Sequence, residues 1–137
     1  MKLRRLPLRL ATGAYILNSG VSKWNADEAT AGQLHGVAST AYPQLKRVRP
    51  EQFARILAAS EIAVGAALLT PFIPPALAGA ALTAFSSGLV GLYLRIPGMH
   101  EEGSLRPTRD GIPIAKDIWL LGIGLSLVLD GLSDDRD

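Results

Sequence analysis

Four largely apolar stretches, each bounded by proline or charge, dominate what this 137-residue chain can fold into. They run over about 6–24, 50–73, 75–94 and 113–132. A bilayer core needs about 20 apolar helical residues to cross it. In lipid every backbone polar group must be paired within the segment, so separate apolar stretches of that length are read as helices. The expectation is an all-α fold in which residues 1–137 form a single integral membrane domain, a four-transmembrane-helix antiparallel bundle. Pro50 and Glu51 suit the first turn of the second helix, where a missing N–H is harmless and a carboxylate meets the positive end of the dipole. Pro74 and Pro75 break the chain between the second and third helices, which must then form a hairpin.

The basic start MKLRRLPLR is followed by no small-x-small cleavage site, and Lys23 and Trp24 read as an interfacial anchor, so the first helix is expected to be retained. Asn25, followed three residues later by Glu28, resembles a helix start and opens a weakly amphipathic stretch through Leu34, Val37 and Ala41. This predicts a short interfacial helix between helices one and two. A second polar loop, 95–111, carries the turn dipeptides Pro97-Gly98 and Asp110-Gly111. Small residues that let membrane helices approach closely recur as Gly79, Thr83, Ser87 and Gly91, as Ala59, Ala63 and Ala67, and as Gly122 and Ser126. An even number of spans puts both termini on one side, with Lys2, Arg4, Arg5, Arg9 and Arg136; the larger number of basic residues on the loop side favours cytoplasmic loops, whereas the basic start of the first helix, which usually dominates, favours termini on the cytoplasmic side of the cell's inner membrane.

Within this apolar frame Glu61 stands out. A carboxylate deep in a membrane helix costs at least ~2.5 kcal/mol unless it is neutralised or paired. Counting ~1.5 Å per residue from the loop side puts Glu61 about 15 Å deep, Ser86 and Ser87 about 13 Å, Asn18 about 9 Å and Lys116 about 5 Å. These residues and Lys23 make one predicted polar layer, with Glu61 paired to Lys116 or Lys23 and with Asn18 and the serines donating. Glu61 then either fixes helix packing or exchanges a proton beside a ligand; no catalytic residue is assigned. Asp117 is expected near Lys116 but about 100° away on a helix. Asp130 is expected to reach outward or to meet Arg5 or Arg9.

Several function classes lose support. No cysteine is present, so the chain has no thiolate nucleophile and no thiolate ligand for zinc or an iron–sulfur cluster. His35 and His100 lack zinc-motif spacing, and no metal site is predicted. No hydrolase, NTPase or dinucleotide glycine pattern occurs. The net charge is only +2 and the basic residues sit at segment ends without interleaved aromatics, which suits lipid headgroups and not nucleic acid.

The runs NSGVSKW, SEIAVGAALLTPF and AKDIWLLGIGLSLVLDG resemble the DoxX family. In that family the first helix ends in a small-residue and lysine pattern, the second carries E-x-x-x-G-x-x-L-L and the fourth starts with a lysine. The resemblance gives these positions to Lys23, Glu61, Gly65 and Lys116. It implies four-helix membrane proteins associated with redox enzymes or oxidative-stress systems, one branch being described as a thiosulfate:quinone oxidoreductase subunit. With no cysteine and no histidine inside a membrane helix, this chain is expected to be a non-catalytic accessory or anchor subunit of a membrane-associated oxidoreductase, without an intrinsic cofactor but with room for a quinone or lipid. Its expected partners are the bilayer and a larger membrane complex or a second copy of itself. Tyr15, Phe85, Tyr93 and Trp119 are the candidates for a ring pocket. The alternatives are a small proton or solute transporter using Glu61 and a structural homo-oligomer.

Overall fold

A computed structural model describes residues 2–134. Arg136 lies outside them. The described residues are all-α, with one isolated bridge between His100 and Pro107 in the second loop. Helix α1 spans Leu6–Trp24, α2 Glu28–Ala41, α3 Pro50–Leu69, α4 Pro75–Arg95, α5 Ile112–Ala115 and α6 Ile118–Asp134. Three segments, Pro50–Leu69, Pro75–Arg95 and Ile112–Ser133, are long and apolar enough to cross a bilayer. At most 33% of any of these windows is buried within the protein. Apolar side chains therefore also point outward: Phe72 is 91% exposed, Trp119 72% and Leu129 65%. Helices that are apolar all round yet so little buried find their solvent in lipid, which makes this a multi-pass membrane protein.

Element boundaries differ from the sequence reading at three places. Helix α3 stops at Leu69, four residues earlier than expected, because Pro71 disfavours a helical conformation at Thr70, whose ψ is 114°. The cap of α2 is Asp27, not Asn25: its side chain accepts from the Thr30 N–H at 2.8 Å, and this bond holds the Asp27 carboxyl below the usual carboxylate range. The fourth long segment is not continuous. Between α5 and α6 the bonding tightens to three-residue steps, Asp117 N to Ile114 O at 3.0 Å and Trp119 N to Lys116 O at 3.0 Å, which shifts the helical phase.

The helices pack most extensively as two antiparallel pairs, α1 with α3 and α4 with α6. Glycines bring the backbones together. A Cβ on Gly65 would lie 2.7 Å from the Leu17 nitrogen, and one on Gly20 would lie 2.8 Å from the Ile62 nitrogen. In the other pair a Cβ on Gly79 would lie 2.7 Å from the Gly124 carbonyl. The seams are thus only partly those expected. Ala59, Ala63, Gly122 and Ser126 face outward, Ala67 is half-buried, and Ala58, Gly65, Gly124 and Gly131 make the close approaches, one helical step away in phase. Of the α4 stripe, Gly79 and Thr83 meet α6, Gly91 meets Tyr42 and Ser87 is exposed. Between the pairs, Ile16, Val64, Leu68, Ala78, Leu82 and Leu127 form the core.

Because these contacts are backbone to backbone, Gly65→Val should force α1 and α3 apart and destabilise the fold by roughly 2 kcal/mol. Thermal unfolding in detergent measures this; a melting temperature equal to wild type would show that the helices do not pack at this distance.

The termini meet the 70–74 link at one end of the bundle. Arg4 pairs with Asp130 at 2.6 Å, and Arg5 bonds the same carboxylate. Arg9 does not join them. It is wholly buried and donates to four carbonyls at the end of α3: Leu68 at 2.8 Å, Ala67 at 2.8 Å, Thr70 at 2.9 Å and Ile73 at 3.0 Å.

Candidate functional site

At the opposite end, the close approach at Gly20 brings the last turn of α1 over Glu61 of α3, so Lys23 reaches the carboxylate directly. The Lys23 ammonium donates to Glu61 Oε1 at 2.9 Å and Oε2 at 3.0 Å, and to Ser19 Oγ at 2.5 Å, one turn earlier on its own helix. An ammonium has three N–H donors, and all three are used. The pair is unequally buried, with 6% of the Glu61 side chain exposed against 23% for Lys23.

Two cavities flank this ion pair. One, of about 200 Å³, is lined by Tyr15, Ile16, Ser19, Phe85, Leu89 and Leu120 with Lys23, Glu61, Lys116 and Asp117. The other, of about 310 Å³, opens toward Leu34, Val37 and Ala38 of α2 and again touches Lys23, Glu61 and Asp117. The ion pair and Asp117 therefore border both chambers, the larger mostly apolar and the smaller about evenly polar and apolar.

The predicted polar layer is assembled in part. Lys23 and Glu61 meet; Lys116 does not reach Glu61. It is exposed, with its Nζ 3.3 Å from the Tyr15 hydroxyl and 5.7 Å from that ring's centre. With the phase shift before α6, Lys116 lies at the exposed rim of the smaller cavity beside Tyr15, and Asp117 borders both cavities. Asn18 is exposed, and Ser19 occupies the place expected for it. Ser86 is buried but donates to Leu82 O at 2.7 Å on its own helix, and the exposed Ser87 donates to Thr83 O at 2.7 Å. Neither serine lines either cavity. Gly65 leaves no room for a ligand, because Leu17 fills its surroundings.

Among the ring candidates, Tyr15 and Phe85 line the smaller cavity. Tyr93 instead donates to Leu105 O at 2.5 Å and packs beside His100, while Trp119 faces outward. His35 Nε2 lies 2.8 Å from Leu45 O and its ring meets Phe53 edge-on, so the two histidines serve separate loop contacts. Among the described residues no group of three potential ligands gathers for a metal.

Two participants were not assigned from the sequence. Ser19 was discoverable, since it lies four residues before Lys23 and shares its helical face. Asp117 reads from the sequence only as a neighbour of Lys116, because a continuous helix turns it away.

The sequence profile of the DoxX family matches residues 5–93, and the chain belongs to that family. The matched region runs from Arg5 to Tyr93 and contains Ser19, Lys23 and Glu61; Lys116, Asp117 and α6 lie beyond it. Neither a curated protein nor a solved structure matches the chain.

Proposed function

We propose that this DoxX-family chain is a non-catalytic membrane subunit that holds the head of a quinone in the cavity beside Lys23 and Glu61 and presents it to a partner oxidoreductase. In this reading α1 crosses the bilayer with the other three long segments. Its 19 residues reach about 28 Å, and its two interior charges are compensated, Arg9 by carbonyls and Lys23 by Glu61. Helix α2 then lies along the surface and covers the larger chamber.

The observation that carries the proposal is the composition of the smaller cavity. A flat ring needs apolar and aromatic walls with a few placed polar groups; Tyr15, Phe85, Leu89 and Leu120 supply the walls, and the groups around Asp117 supply the polarity. The accessory role draws support from the sequence, which offers no thiolate and no histidine within a long apolar segment to hold a redox centre. A proton path using Glu61 is less well supported. It would have to cross the core of Ile16, Val64, Leu68, Ala78, Leu82 and Leu127 to leave at the other end of the bundle.

Purification from native membranes in mild detergent, with solvent extraction of bound small molecules and mass spectrometry of both fractions, tests the proposal. A quinone and an oxidoreductase are expected at fixed stoichiometry, and Leu120→Trp, which fills the cavity, should remove the quinone. A chain recovered alone and quinone-free would overturn the reading.

A further inference from the structure

We infer that Asp117, not Glu61, is the group that meets the ligand, and that the cavity therefore takes the reduced, hydroxyl-bearing form of its ring; this rests on the ring-binding reading above. Glu61 is engaged through both oxygens by Lys23, whose third donor is taken by Ser19. Lys23 has no donor left to offer, and each Glu61 oxygen already accepts from it. Asp117 differs: its side chain has no hydrogen-bond or ion-pair partner among the described residues, it is half-buried, and it borders both chambers. The charged and titratable groups sharing the smaller cavity with it are Lys23, Glu61, Lys116 and Tyr15. Of these, Lys23 is saturated by its own bonds and Lys116 is turned toward Tyr15.

A carboxylate is an acceptor and calls for a donor. A quinone carbonyl would set one acceptor against another, whereas a hydroquinone hydroxyl can donate to Asp117 in a charge-assisted bond. The other end of the site is complementary. Tyr15 accepts from Lys116 and keeps its own hydroxyl proton to donate, and Lys116 retains two further N–H groups. A ring hydroxyl can receive from either. Asp117 thus selects between oxidation states of one ring, while Phe85 and Leu120 hold its faces whichever state is present.

The test is equilibrium binding of a short-chain ubiquinone analogue, oxidised or chemically reduced under anaerobic conditions, to the full chain in nanodiscs. Wild type is expected to bind the reduced form about tenfold more tightly, the worth of one charge-assisted bond. Asp117→Asn, whose neutral amide can donate to a carbonyl as well as accept from a hydroxyl, should abolish that preference while leaving binding of the oxidised form, and Asp117→Glu, which keeps the charged acceptor, should retain it. Equal binding of both forms by wild type, or a preference that survives Asp117→Asn, overturns the inference and leaves the ring site standing. Loss of both forms in both variants marks Asp117 as structural and also overturns it. Failure of wild type to bind either form overturns the ring-binding reading itself.

Discussion

Arg9→Leu should destabilise the protein by about 3 kcal/mol or more, because each carbonyl left unpaired away from water costs about 1–3 kcal/mol and removal of one buried charge offsets only part of the total. The four acceptors lie at the end of α3 and in the link that follows, where Pro71 and Pro74 supply no N–H of their own. A planar guanidinium can serve several carbonyls at once, and its charge suits the negative end of the helix dipole. Arg9→Lys should therefore recover only part of the loss, since an ammonium offers three donors from one point. Unfolding in detergent, followed by circular dichroism against temperature, measures the series. A leucine variant as stable as wild type would show that lipid headgroups or water satisfy these carbonyls unaided.

At the other end of the bundle, the two halves of the ion pair should respond unequally. Lys23→Ala leaves the Glu61 carboxylate nearly sealed and without its cation, a loss expected at roughly 3–5 kcal/mol. Glu61→Ala leaves an ammonium near the end of α1 that can extend toward the interface, so its effect should be nearer ~1–2 kcal/mol. The double variant should be more stable than Lys23→Ala alone, because no uncompensated charge is left behind. A double-mutant cycle in detergent reads the coupling. Additive losses would mean that the two residues do not interact, and the cavity wall built on them would have to be abandoned.

Much of this architecture was legible in the sequence because it rests on counts of apolar residues and on proline. Apolar length located the long helices, and Pro50 and Pro75 marked their starts within a residue. The Lys23–Glu61 pairing was within reach for the same reason: a membrane carboxylate must find a cation, and few were near enough. What the sequence concealed was phase. A single step of 100° decides whether Asn18 or Ser19 enters the site, and whether the α3 seam is Ala59 and Ala63 or Ala58 and Gly65. The three-residue bonding at Lys116 and Asp117 exchanged the roles of two adjacent charges, and no propensity in IPIAKDIW announces that tightening. Arg9 escaped for a different reason, since its partners are backbone carbonyls, which carry no signature in side-chain identity.

The glycine-welded pairs join helices that are not consecutive along the chain. During synthesis α3 can seat against α1 as soon as it is inserted, and Arg9 waits for its carbonyls only until Ile73 has been made. Helix α4 meets the same delay. It leaves the ribosome with Gly79 and Thr83 uncovered, and their partners on α6 follow only after the whole second loop has been translated. For that interval the nascent protein presents to the bilayer, or to the insertion machinery, a backbone-exposing groove that the finished molecule closes.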